Sequence, residues 1–345
     1  MTRRVLVILS ALALLAVGCG ATGVSSPAIP AAVTVPPVLP NGARAVSDTP
    51  DASAANRSCN GGDPQASLAP RGPLPGPGHM PVGSTMAAIL QRGHLNAGVD
   101  QNTLLWGYRN PEGQLAGFDI DMVDQVARAL FGPSWPSRIR YVIVPNADRI
   151  PAVASGRVDV LAETMTITCS RQQAPANSKV DPSACCVDFS SEYYAAAQRI
   201  LVPVGSPIHS VAELAGKRVC AAQGSTSLVN LSKWVPAARQ IAVANQTDCL
   251  VMLQQGQADA ISTDDTILQG LAAQDPNLEL LKTAPLSDEP YGMAISKAHP
   301  DLTRFVNGVL AQERSDGEWA AIWTSILGPV LHTSAPRPPA AAYRD

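Results

Sequence analysis

Two stretches of this chain repeat one another without a gap: RIPAVASGRVDVLAETM at 149–165 and CLVMLQQGQADAISTDD at 249–265. Gly156 aligns with Gly256, Asp159 with Asp259, and Thr164 with Asp264. Each copy reads as a short helix, a glycine that stops it, and an apolar strand ending in polar residues. Such a unit buries its strand inside a sheet with helices on its faces, so the chain has to build that layer twice. The spacing is too long, and two copies too few, for a solenoid. Two α/β lobes of similar build are the simpler account. Ligands of open α/β sheets sit beyond the carboxyl ends of the strands, so facing lobes bring both polar strand ends into one cleft.

The flanking segments alternate strand and helix in the same way. STMAAILQRG predicts a helix capped by Ser84 or Thr85 and stopped by Gly93, and LNAGV predicts a strand ending at Asp100. GFDIDMVDQVARALFG places Ile120, Val123, Ala127 and Leu130 on one helical face behind a capping Asp119. SVAELAGKRVCAA begins with a capping box, Ser210 with Glu213, and runs through Gly216 into a strand. DLTRFVNGVLAQERSDG aligns Leu302, Phe305, Val306 and Val309. These apolar stripes read as core rather than as ligand surface.

The two ends of the chain read differently. MTRR, the apolar run VLVILSALALLAV and then GCG make an export signal over residues 1–18, too short in its apolar part to span a membrane. Ala16-Val17-Gly18-Cys19 resembles a bacterial lipobox, which makes Cys19 the expected lipidation site. Residues 20–84 hold 12 Pro and 9 Gly and no aromatic, and every Trp, Tyr and Phe falls at Trp106 or later. Such a segment buries too little apolar surface to offset its ordering entropy, so 19–83 is expected to be a tether. SAPRPPAAAYRD, within 331–345, is expected to be a flexible tail. A net charge of −3 without a basic run argues against nucleic acid as a partner. Six cysteines follow Cys19, an even number that suggests disulfides in an exported chain. Adjacent Cys185-Cys186 lacks the usual gap between zinc ligands, so no metal is expected.

LAETMTITCSR, at 161–171, clusters hydroxyls and one guanidinium where a strand should end. Together with GFDIDMVDQVA, GKRVCAAQGSTS, ADAISTDDT and EPYGMAI, in their order along the chain, it resembles the polar amino-acid family of bacterial solute-binding proteins, receptors that feed ABC importers. The resemblance covers about residues 84–329 and is nearest to actinobacterial glutamine/glutamate-binding lipoproteins. It implies an α/β fold of the two-lobed, type II periplasmic-binding-protein kind, with a hinge of two crossing strands near RILVP and PYGMA. The first lobe is then 84–200 with 291–330, and the second 201–290.

The resemblance also implies a site. Arg171 matches the arginine that grips the ligand α-carboxylate, a role suited to the parallel N–H donors of a guanidinium. Thr166 and the backbone of Thr164 match neighbouring contacts, as do Ser225 and Thr226 in the loop QGSTS. Asp264 matches the carboxylate that receives the α-ammonium, with Asp265 one register step away. Arg149, 22 residues before Arg171, has the separation seen in members that bind aspartate and glutamate, where it holds the side-chain carboxylate. Asp100 matches an acid that faces the amide in glutamine binders. Trp106 and Tyr108 are candidates to wall the aliphatic part of the ligand, or else core.

These residues point to a receptor for glutamate, aspartate, glutamine or asparagine, monomeric, without a cofactor, working with an importer permease. A sensor coupled to a membrane partner is the alternative. A few members of the fold are enzymes, notably cyclohexadienyl dehydratases, but no histidine falls at a predicted strand end and Glu163 is the one obvious acid, so no enzyme is expected. Within the implied second lobe, Cys220 on a strand and Cys249 on the helix of the second repeat are expected to pair. Cys59 and Cys169 would join stem to first lobe, leaving Cys185 and Cys186 bonded to each other or competing for Cys169.

Overall fold

The repeat becomes the organising feature of the structure, a computed structural model that describes residues 39–46, 62–173 and 186–345. Its first copy is helix Arg149–Ala154, then Gly156 at φ 72°, then strand Val160–Leu161. Its second is helix Gln246–Gln254, Gly256 at φ 66°, and strand Ala260–Asp264. The left-handed backbone at both helix ends is what selects glycine there. The matched aspartates do the same work in each copy. Asp159 N–H donates to Asn96 O at 2.9 Å while its carboxylate accepts from Asn96 N at 2.8 Å. Asp259 N–H donates to Arg218 O at 2.8 Å and its carboxylate accepts from Arg218 N at 2.7 Å. Each aspartate thereby fixes the start of the neighbouring parallel strand, Leu95–Val99 in one copy and Arg218–Ala222 in the other.

Two sheets with the same arrangement follow. The first runs Ile139–Ile143, Leu95–Val99, Val160–Leu161, Ala294–Ser296, Val187–Phe189, with its first three strands parallel. In the second, Arg239–Val243, Arg218–Ala222 and Ala260–Asp264 are parallel, and Tyr194–Pro203 and Leu278–Leu280 complete the row antiparallel. Tyr194–Pro203 also pairs with Ser287–Tyr291, from Tyr194↔Tyr291 to Gln198↔Ser287. The chain crosses between sheets at 190–193 and returns at 292–293. The second crossing lies in PYGMA as expected, but the first precedes RILVP, whose residues pair with 260–264 and 278–280 inside the second sheet. The first lobe therefore gives way to the second nearer 193 than 200.

Helix Phe118–Phe131 buries Phe118, Ile120, Met122, Val123, Val126, Ala127 and Leu130 against helices Pro300–Asp316 and Glu318–Ile326 in the first lobe's core. Burying side chains of this size contributes about 1.5–3 kcal/mol each. Asp119 is not the cap of that helix. Gly117 holds the cap position, and the Asp119 carboxylate turns inward to accept Thr164 N at 2.8 Å and Tyr193 Oη at 2.6 Å. Cys220 and Cys249 are joined by a disulfide in the second lobe, both fully buried. Cys169 and Cys186 each take part in a disulfide as well. Cys19, Cys59 and Cys185 lie outside the described residues, as does the leader.

The expected tether and tail are corrected over much of their length. Ser67 is buried, donates to Phe189 O at 2.6 Å and accepts from Asn307 Nδ2 at 2.7 Å. Ser67 N–H donates to Ala342 O, and Arg344 N–H to Ser67 O, both at 2.9 Å. Arg304 donates to Ala69 O at 2.7 Å and forms an ion pair with Asp345. Residues 62–83 and the C-terminal segment thus pack together on helix Pro300–Asp316. Proline lacks a donor to satisfy, so an extended Pro-rich segment needs partners mainly for its carbonyls, and Asn307 and Arg304 supply them. Upstream, Arg44–Ala45 pairs antiparallel with Arg239–Val243 at the edge of the second sheet. Among the described residues no helix is long and apolar enough to cross a membrane.

Candidate functional site

The carboxyl ends of the parallel strands in the two lobes converge. After strand Val160–Leu161 the chain passes Thr164 and Thr166 and enters the short helix Cys169–Gln172, which carries Arg171. Thr164 sits at φ 42°, a left-handed conformation unusual for threonine, and is held there by the bond from its N–H to Asp119. From the second lobe, strand Arg218–Ala222 leads through Gly224 and Ser225 into helix Thr226–Trp234, and strand Ala260–Asp264 ends at Asp264. Ser225 is the helix cap: its hydroxyl accepts from Leu228 N at 3.1 Å and donates to Ala222 O at 2.6 Å.

Arg149, Thr164, Thr166, Arg171, Ser225, Thr226 and Asp264 all line one hollow between the lobes, joined by Asn146, Ser227, Gln246, Thr263 and Ile267. Its volume is about 10 Å³, room for about one water molecule, so a guest the size of an amino acid requires the lobes to part. They touch across it at Gly224, whose carbonyl accepts from Arg149 Nη2 at 3.2 Å and Arg171 Nη2 at 3.3 Å. Gly224 has φ 73°, and a Cβ there would come within 3.0 Å of the Ala147 backbone. A larger hollow of about 480 Å³ opens on the far side of Thr166, Arg171 and Thr226. Only the smaller one holds Arg149 and Asp264 together.

Both guanidiniums are bonded to neutral carbonyls. Arg149 donates from Nε to Asn146 O at 3.0 Å and from Nη1 to Glu163 O at 3.0 Å, besides its bond to Gly224. Arg171 donates from Nη1 to Thr166 O at 2.6 Å. Among the described residues neither joins an ion pair. Burial, with Arg149 beside it, draws the Arg171 pKa down to about 9, which leaves it charged at neutral pH. Opposite stands Asp264, 4% exposed, with Oδ2 accepting Tyr291 Oη at 2.6 Å and Oδ1 without a partner. Burial, and Glu289 nearby, push its carboxyl well above the usual range. A buried carboxyl oxygen without a donor favours an arriving cation, and two buried guanidiniums without carboxylates favour an anion. A zwitterion supplies both.

Three expected residues are placed elsewhere. The Asp100 carboxylate accepts Gln101 N at 2.7 Å, Asn102 N at 3.2 Å and the Thr103 hydroxyl, so it closes its own turn instead of facing the hollow. Trp106 is fully buried, edge-on to Tyr194 at 4.7 Å and Tyr291 at 5.3 Å, and belongs to the core. Tyr108 is half-buried on strand Gly107–Arg109, paired with Asn102 and Ala116, and does not line the hollow. Asp265 is set apart from Asp264: it accepts Ala197 N at 3.2 Å and Thr266 N at 2.9 Å and faces Arg199 at 3.8 Å. Asn146 and Gln246 went unnoticed in the sequence. Extending the repeat by three residues toward its start would have matched them to each other.

Comparison with known proteins agrees with this architecture. The profile of the bacterial extracellular solute-binding proteins, family 3, matches residues 95–329. The ABC transporter glutamine-binding protein GlnH of Bacillus subtilis is 36% identical over 241 residues, 69% of this chain and 83% of its own length. The glutamate-binding protein GluB of Corynebacterium glutamicum is 27% identical over 256 residues, 71% and 82% of the two chains. Among solved structures, an ancestral arginine-binding protein bound to glutamine superposes with a TM-score of 0.61 at 29% identity, over 69% of this chain and 99% of that one. The solute receptor for L-cysteine of Neisseria gonorrhoeae gives 0.63 at 28% identity, over 72% and 95%. With two sheets of matched order, two crossing strands and a family profile spanning both lobes, the chain belongs to the bacterial extracellular solute-binding proteins of family 3.

Proposed function

We propose that the chain is an extracytoplasmic receptor for glutamate, glutamine, aspartate or asparagine, and that it delivers its ligand to an ABC importer. The observation that carries this reading is the charge arrangement of the hollow: two buried guanidiniums bonded only to carbonyls, opposite the unpartnered Oδ1 of Asp264. Arg171 takes the α-carboxylate and Asp264 the α-ammonium. Arg149 is left for the far end of the ligand, beside Asn146 and the unpartnered Oε1 of Gln246. A guanidinium and an amide together suit an acidic or amide side chain, and they oppose a basic one by like charge. The relatives described as glutamine- and glutamate-binding support the same class. Cys19, at the end of a leader with a lipobox-like Ala16-Val17-Gly18, is the proposed membrane anchor.

A panel of amino acids added singly to the chain from residue 39 onward tests the class by thermal unfolding. A ligand at a hundred times its Kd stabilises the folded state by about 2.7 kcal/mol, which raises Tm by on the order of 5 °C in a protein of this size. The four named amino acids are expected to do so. A rise with arginine or lysine and none with those four overturns the assignment of Arg149.

A further inference from the structure

Glu289 is 1% exposed on strand Ser287–Tyr291, the segment that returns the chain to the first lobe. Its carboxylate is satisfied by four neutral donors and by no cation among the described residues. Oε2 accepts from Thr166 Oγ1 and from Thr226 Oγ1, each at 2.7 Å. Oε1 accepts from Asn230 Nδ2 at 3.0 Å and from Ser287 Oγ at 2.6 Å. Thr166 belongs to the first lobe and Thr226 and Asn230 to the second, so one hinge carboxylate ties both lobes together beside the hollow. The backbone reinforces the first-lobe side: Thr166 bridges to Tyr291, and Ile167 N–H donates to Pro290 O at 2.7 Å. On the other side Glu289 is paired with Ala196 in the second sheet.

We propose that Glu289 is a closure latch, a positioning residue that stabilises the closed arrangement by accepting the Thr166 and Thr226 hydroxyls from opposite lobes at once. Glu289 is paired into the second sheet and moves with Thr226, so it is the Thr166 hydroxyl that loses a buried, charged acceptor when the lobes part; that bond favours the closed state over the open one, and only such a differential contact shifts the equilibrium. Each hydroxyl has one proton, and with that proton committed to Glu289 its oxygen is left as an acceptor toward the hollow. The latch rests on the receptor reading above only for the ligand that is used to probe it.

The test compares wild type, Glu289→Gln and Asn230→Ala by stopped-flow binding of glutamine and glutamate, with scattering measurements of the radius of gyration without ligand. A carboxamide cannot accept four donors, so Glu289→Gln should speed dissociation by roughly 10- to 100-fold while association stays within about 3-fold. Asn230→Ala removes one donor outside the hollow and should speed dissociation by a smaller factor, roughly 3- to 10-fold; it also keeps the test open should Glu289→Gln fail to fold. A larger radius of gyration in the ligand-free variants supports the latch. Unchanged dissociation with an unchanged radius overturns it, as does a loss of affinity matched only by slower association. Should wild type bind neither amino acid, the receptor reading fails, and the radius alone then decides for or against the latch.

Discussion

Arg149 and Asp100 show how far single residues could be read. Both stand at expected site positions, yet Arg149 reaches the hollow while the Asp100 carboxylate bonds its own turn. An aspartate after a strand suits either role, and spacing alone does not separate them. Glu313 was invisible for the opposite reason. It lies within an ordinary amphipathic helix, and only three dimensions show it 3% exposed with neither carboxyl oxygen bonded. Burial, aided by Asp316 and Glu318 and opposed by Arg314, pushes its carboxyl up to about 8 from an ordinary 4.5. Between those values the unfolded chain releases a proton that the folded chain keeps, so stability falls as pH rises through the interval and levels off above it. Glu313→Gln should change little at pH 5 and add on the order of 2–4 kcal/mol at pH 8.5. Urea unfolding at the two pH values checks this, and an equal effect at both would contradict it.

The elements that the sequence made plain are those whose signals are local. The Ser84 cap and Gly93 stop bound helix Thr85–Arg92, and the Ser210–Glu213 box opens the turn before strand Arg218–Ala222. The aligned glycines and aspartates of the repeat reappear as matched turns and strand clamps. The packed stem was not legible, because its partners are remote: Ser67 meets Asn307, 240 residues away, and nothing in a Pro-rich composition distinguishes a strap from a tether. Cys220 and Cys249 lie between these cases, 29 residues apart on a strand and the helix that covers it. A crosslink over that separation restricts the unfolded chain by about 3–4 kcal/mol in the chain-entropy account. Replacing both cysteines with alanine should lower the stability of the second lobe by about that amount. Guanidinium unfolding monitored at Trp234, the tryptophan of that lobe, measures it; an unchanged midpoint would show that the bond is not formed in solution.

For the molecule as a whole, the two lobes bring different groups to the hollow between them. The first supplies Arg149 and Arg171 from short helices that follow two of its strands, and the second supplies Asp264 and the helix start at Ser225 and Thr226. Neither lobe alone lines the hollow with both the guanidiniums and the Asp264 carboxyl, so on the proposed function affinity depends on the hinge and on the proposed latch at Glu289. On the proposed function, one guanidinium holds the end common to all amino acids and the other reads the variable end. Calorimetric dissociation constants for glutamate and glutamine, on wild type, Arg171→Ala and Arg149→Ala, test this division most directly. Arg171→Ala should weaken both ligands alike, by on the order of 2–5 kcal/mol, because the α-carboxylate is left buried without its partner. Arg149→Ala should weaken glutamate at least about tenfold more than glutamine, since the acid loses a charge partner and the amide a single neutral contact. Equal losses for the two ligands on Arg149→Ala would show that Arg149 does not read the variable end.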